Sequence, residues 1–153
     1  MKKKLVIVCS LLFLHACSKV STISHAKDEF QQTMQTHLYS IESKDIGLMQ
    51  TTLPKSGDFY LTLPNGTISK SVDEFVKGQT GWFQQKGWSF SSKIIKQEHG
   101  KKYGYALVIA DYREDDRNGK PYHHQMFISY DLKNVNGKWL VVKDHASTIK
   151  KSQ

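Results

Sequence analysis

Apolar residues fall at helical spacing in the first part of the chain and at strand spacing in the rest. Phe30, Met34, Leu38 and Ile41 are separated by four, four and three positions, which lines one side of a helix over Asp28 to Asp45. Asp28-Glu29 suits its start and Gly47 its end. Leu48 to Lys55 is a connection with room for a short second helix, closed by Pro54. Gly57 to Ser69 reads as a small hairpin turning at Asn65-Gly66. Ser71-Val-Asp-Glu74 is a capping box, in which the serine accepts a backbone N–H three residues on and the glutamate reaches back. It opens a second helix running to Lys86, with Gly87 as its stop and Phe75, Val76, Trp82 and Phe83 as its apolar face. Gly78 and Gly81 weaken that helix by roughly 1 kcal/mol each, and close packing would account for them.

Longer strands follow. Trp88 to Glu98 turns at His99-Gly100-Lys101 into Tyr103 to Arg113, whose apolar centre from Ala106 to Ala110 predicts burial on both faces. A charged turn, Glu114 to Lys120, leads to a closing hairpin: Tyr122 to Tyr130, Asn136-Gly137, then Lys138 to Ile149. Strict alternation groups Trp139, Val141, Lys143, His145 and Ser147 on one face, and Leu140, Val142, Asp144 and Ala146 on the other. On the preceding strand Tyr122, His124, Met126, Ile128 and Tyr130 share a face. The expected class is α+β, with helices packed on the concave face of a curved, mostly antiparallel sheet.

The first residues have a different character. Met1-Lys-Lys-Lys4 precedes a run of twelve largely apolar residues, Leu5 to Ala16. That is too short for a membrane span, which needs about 20 residues, and has the length of a signal-peptide core. It ends in Leu14-His-Ala-Cys17, which resembles a bacterial lipobox. The resemblance implies cleavage before Cys17 and lipidation of its thiol. An ordinary secretory signal or a retained anchor is the alternative. Cys9 and Cys17 are the only cysteines, so the rest of the chain has no thiol or disulfide. Ser18 after the cysteine implies, by resemblance to lipoprotein sorting in Gram-negative cells, the outer membrane facing the periplasm if the host is Gram-negative, and the outer face of the membrane if the host has only one. The expected divisions are 1–16 signal peptide, 17–27 lipidated cysteine and tether, 28–149 folded domain, and 150–153 basic tail.

Composition narrows the picture a little further. The chain of 153 residues suits one domain, and 39% apolar with 11% aromatic residues supplies a core. The net charge is +8; without Lys2, Lys3 and Lys4, 19 basic residues face 14 acidic ones. That is mildly basic and favours anionic surfaces or ligands. Nucleic acid is not an expected partner in the envelope.

The order of elements resembles the nuclear transport factor 2-like superfamily, in particular small SnoaL-like bacterial domains. The carrying residues are the first helix, Leu63-Pro-Asn-Gly-Thr before the capped helix, Asp111-Tyr-Arg, Asn118-Gly-Lys-Pro-Tyr, and Asn136-Gly-Lys-Trp-Leu-Val-Val-Lys-Asp-His. The resemblance implies a cone with a pocket between sheet and helices, often a homodimer through the sheet. It implies no single function, because the superfamily holds isomerases, dehydratases, cyclases and binding domains alike.

Enzymes of this fold use an acid or a histidine in an apolar pocket, where burial moves the pKa toward neutrality. The candidate pocket residues are His145, Asp58, Tyr60, Asp111, His124, His37 and Trp82. His123 and His124 are adjacent on a strand and point to opposite faces, so they do not chelate a metal together. Glu114-Asp115-Asp116 lacks the spacing of a calcium loop and reads as a solvated turn. Phosphate-binding loops, the nucleophile elbow and the zinc-protease motif are missing. No metal or cofactor is expected. The leading expectation is a lipid-anchored envelope protein binding a small, partly apolar molecule or a protein partner. An isomerase-, dehydratase- or cyclase-type enzyme with a buried His or Asp as base, and a structural dimer with a filled cone, are the alternatives.

Overall fold

The computed structural model describes the backbone of residues 20–152 and the side chains from residue 29 on, apart from that of Asp58. The lipobox and Cys17 lie outside the described residues. Helix α1 covers Val20–Glu42 and buries Phe30, Met34, Leu38 and Ile41 as their spacing predicts. It starts earlier than Asp28-Glu29 suggests, so the stretch expected to be a tether is helical from Val20. It also ends without Gly47. Lys44 takes the left-handed conformation at φ 58°. Asp45 N donates to Ser40 O and Lys44 N to Ile41 O, the pair of bonds that closes a helix C-terminus. Lys44 Nζ donates to Trp88 O at 2.9 Å and lies 4.0 Å above the indole ring. Gly47 instead sits inside the short helix α2 (Ile46–Gln50), which Asp45 caps.

Strands β1 (Asp58–Thr62) and β2 (Ile68–Ser71) form the expected hairpin, with Gly66 at φ 85°. Helix α3 spans Val72–Phe83. Ser71 Oγ accepts from Glu74 N at 3.2 Å, and Glu74 reaches one residue beyond the cap to Lys70 N at 2.8 Å. The helix stops short of Lys86. Gly78 and Gly81 do not mark close packing: a Cβ at either would meet nothing within 4 Å.

Strands β3 (Trp88–His99), β4 (Tyr103–Glu114), β5 (Tyr122–Val135) and β6 (Lys138–Lys151) complete a six-stranded sheet in the order β2-β1-β6-β5-β4-β3. The β5–β6 turn is Asn136-Gly137 with both residues at positive φ, as is Asn118-Gly119 between β4 and β5. All pairings are antiparallel except that of β1 with β6. The expected burial of β4 on both faces is not found. Ala106, Val108 and Ala110 are buried, but Leu107 and Ile109 on the outer face are half-buried, because α1, α2 and α3 lie on the inner face.

Two slips in β6 overturn the alternation read from its sequence. Leu132 pairs with Val141 and Asp131 with Lys143, so Val142 is an extra residue; Met126 pairs with Thr148 and Gln125 with Lys150, so Ile149 is another. Each bulge reverses the facing beyond it. Trp139 and Val141 point inward, then Asp144 and Ala146. His145 is left outside with Lys143. The core is rich in rings: Trp82 stacks on Trp88 at 4.3 Å, Phe59 packs against Phe75 at 4.2 Å with the rings tilted by 32°, and Phe30 meets Trp139 edge-on at 5.1 Å. Such pairs contribute about 0.5–1.5 kcal/mol each beyond their area.

Candidate functional site

A cavity of about 660 Å³ opens between α3, the β1–β2 hairpin and the inner face of β4, β5 and β6. Helix α3 supplies Phe75, Gly78, Gln79 and Trp82; the hairpin supplies Leu61 and Leu63; the sheet supplies Tyr112, Tyr122, His124, Met126, Thr148 and Lys151. The helical period sets the first group. Positions 75, 78, 79 and 82 repeat at three, one and three residues, one face of α3. Its glycine leaves open space where another residue would fill the wall.

The rings form one continuous surface. Trp82 and Tyr112 lie 5.8 Å apart, Tyr112 and Tyr122 6.4 Å, and Tyr122 and His124 6.1 Å. One rim is closed by an ion pair. Arg117 bonds both carboxylate oxygens of Glu114 while its guanidinium carbon lies 3.4 Å above the Tyr122 ring. Tyr112 donates its hydroxyl to Glu114 at 2.5 Å. Hydrogen bonding from Arg117 holds the Glu114 carboxyl below its ordinary range, against burial. Burial, with the Glu114 bond, pushes Tyr112 up to about 12. The carboxylate is therefore ionised, satisfied and unsuited to carry a proton at neutral pH. The charged turn is exposed from Asp115 to Lys120, as expected of a solvated turn, and lends Glu114 and Arg117 to the cavity rim.

His124 is the histidine of this site. Its Nε2 lies 2.8 Å from Thr148 Oγ1. Burial holds the imidazole below its ordinary pKa, and the positive charges of Lys151, Arg117 and His123 push the same way. The ring is neutral at pH 7 and can accept a proton.

Of the candidate residues, the structure brings His124 and Trp82 together in the cavity. Asp111 is on the outer face, where His123 Nε2 lies 2.5 Å from its Oδ1 and Gln125 donates weakly. The His123 bond holds Asp111 below the ordinary range. His145 is exposed on that same face. Tyr60 is half-exposed in a separate, more open hollow with Tyr103, Tyr105, Asp131 and Lys143. The side chain of Asp58 lies outside the described residues.

His37 is fully buried on the inner side of α1. Thr52 gives its hydroxyl hydrogen to Met49 O at 2.6 Å, so its oxygen accepts from His37 Nδ1 at 2.7 Å. The neutral ring thus carries its proton on Nδ1. Burial lowers its pKa to about 4, and it ties α1 to the segment after α2. Tyr112, Tyr122, Gln79, Arg117, Thr148 and Lys151 were not foreseen. The shared face of Tyr122, His124 and Met126 was the available signal. Among the described residues no group of three His, Cys, Asp or Glu could hold a metal, and no helix is long and apolar enough to cross a membrane.

No protein-family model matches the chain, and no curated protein does. Solved structures do match. A nuclear transport factor 2-like superfamily protein from Salmonella enterica aligns at TM-score 0.70 and 18% identity, over 86% of this chain and 96% of that one. A ketosteroid isomerase-like protein from Erwinia carotovora atroseptica aligns at 0.67 and 14%, over 80% and 95%. A protein of unknown function similar to nuclear transport factor 2, from Shewanella oneidensis, aligns at 0.65 and 12%, over 79% and 98%. At these identities the likeness is one of fold, and that fold is the nuclear transport factor 2-like cone: among the described residues, a curved, mostly antiparallel six-stranded sheet with three helices.

Proposed function

We propose that this is a lipid-anchored cell-envelope protein whose cone binds a small, partly apolar molecule. The observation that carries the binding reading is the cavity wall, a run of aromatic and apolar side chains in which the carboxylate is already consumed by Arg117 and Tyr112. Apolar concave sites with a few fixed polar groups are the usual form of small-molecule sites. The charged start, short apolar run and Leu14-His-Ala-Cys17 support the anchor, with lipidated Cys17 facing the periplasm on an outer membrane. Phe127 and Ile149, exposed on the outer sheet face, support a homodimer through that face.

Native mass spectrometry of the full chain extracted from membranes tests these points together. The expected result is a dimer, acylated at the mature N-terminus, carrying an extra small mass. Gly78→Trp projects an indole into the open space at position 78 and should abolish the extra mass. An unmodified N-terminus would refute the anchor. A small mass retained by Gly78→Trp would refute this cavity as the site.

His124 favours a second reading, an isomerase- or dehydratase-type enzyme. A neutral imidazole beside an apolar wall is a competent general base. If the molecule recovered from the protein is converted on incubation with it, His124→Gln should stop the conversion and retain binding. Undiminished conversion in that variant would remove His124 as the base.

A further inference from the structure

We propose that the molecule held in the cavity is a flat monoanion, an aromatic or similarly planar carboxylate, with its anionic end between Lys151 and His124 and its body against Trp82, Tyr112 and Met126. The proposal rests on the cavity being a binding site and specifies what binds there.

The second bulge of β6 shapes this end of the cavity. A regular strand that points Thr148 into the cavity would turn Lys151 away. The extra residue Ile149 lets both Thr148 and Lys151 line it. Lys151 then pairs directly across the sheet with His124. Two cationic or potentially cationic side chains opposite one another are mutually destabilising. The charges that depress His124 are all positive: Lys151, Arg117 and, from the outer face, His123.

The charge balance of the wall points the same way. Its charged groups are Glu114, Arg117, His124 and Lys151. Glu114 and Arg117 neutralise one another, and Tyr112 takes a further acceptor site of Glu114. Among the described residues no carboxylate lies within ion-pair distance of Lys151 Nζ. One full positive charge therefore remains at the end of a site whose other side chains are aromatic, apolar or polar without charge. A ligand carboxylate there would gain a charge-assisted bond from Lys151 and a hydrogen bond from the one proton that the His124–Thr148 pair does not use internally. The rest of the wall suits a planar body, since Trp82, Tyr112 and Tyr122 present ring surfaces and Met126 adapts to shape.

The test uses an isosteric pair, 2-naphthoate and 2-naphthamide, titrated calorimetrically into the purified full chain in a nonionic detergent, with protein-free micelles as the blank. The acid should bind about tenfold more tightly than the amide, the scale of one charged hydrogen bond. Lys151→Met should remove that preference and leave amide affinity unchanged. Lys150→Met is the control: it removes the same charge one residue away, at a position paired with Gln125 and outside the cavity wall, and should preserve the preference. Equal binding of acid and amide by the wild type would overturn the anionic end while leaving the cavity as a site. A preference that survives Lys151→Met, or that Lys150→Met also abolishes, would overturn the placement. If neither compound binds, both the flat anion and the cavity reading behind it fall.

Discussion

Asp144 and Tyr130 sit opposite one another across β6 and β5, both turned into the core and almost sealed from water. Burial pushes the Asp144 carboxyl up to about 7 and, with Asp144 adding to it, raises the Tyr130 hydroxyl well above its ordinary value. A carboxyl raised on folding stabilises the native state least where it must ionise. The unfolded side chain ionises from about pH 4, so this penalty grows from there up to about pH 7 and amounts to something on the order of 4 kcal/mol. His37 works in the opposite sense. Its lowered pKa means that protonation favours the unfolded chain, so stability is lost as pH falls from about 6.5 to about 4. The two slopes cancel over most of their shared range. Asp144→Asn removes one of them. Urea unfolding of that variant should show its stability relative to wild type rising by several kcal/mol between pH 4 and pH 8. A pH-independent difference would refute the buried-acid assignment.

Lys44 ends α1 in a conformation that glycine adopts more easily, and its ammonium meets both the carbonyl and the ring of Trp88. Lys44→Ala loses those contacts and keeps the left-handed strain. Lys44→Gly loses the contacts but relieves the strain. Both variants should be less stable than wild type, with the glycine variant the better by about 1 kcal/mol. Equal stabilities, read from thermal unfolding, would mean that the left-handed conformation is not retained.

Gly81 and Gly104 should respond in opposite directions to alanine. At Gly81, exposed in α3, the new Cβ meets open space, and the higher helix propensity should stabilise by about 0.5–1 kcal/mol. At Gly104 it would stand 2.5 Å from both His99 Cβ and Phe30 Cε2. That crowding should cost about 1–3 kcal/mol. Denaturant midpoints of the two variants moving the same way would contradict one of these environments.

His145→Ala should leave both stability and probe binding nearly unchanged, within about 0.5 kcal/mol, as expected of an exposed side chain. The same titrations with naphthoate check it. A large loss of binding would place His145 at the site and contradict its outward facing.

The contrast between His145 and His124 shows what the sequence could and could not convey. The α1 stripe, the Ser71 cap, the Asn-Gly turns and the shared face of Tyr122, His124 and Met126 depend on near neighbours, and the folded chain keeps them. The facing of β6 does not depend on near neighbours. Its bulges come from register against β5, and two-residue counting groups His145 with Trp139 and Val141, which the folded strand turns to the opposite face. The parallel pairing of β1 with β6 joins still more distant parts of the chain. The charged turn is solvated as its composition suggests, but the place of Arg117 beside the cavity depends on a partner five positions away, the Tyr122 ring.

The surplus residues Val142 and Ile149 also bear on how this strand can change over generations. Losing one residue from a regular strand turns every later side chain over, and a buried strand seldom survives that. Here the chain already holds the residue that a shorter strand would lack. Deleting the codon for either one straightens the strand locally and leaves Asp144, Ala146, Thr148 and Lys151 facing as they do now. Length variation among descendants of this chain should therefore collect at these two positions, while deletions elsewhere in β6 should be purged.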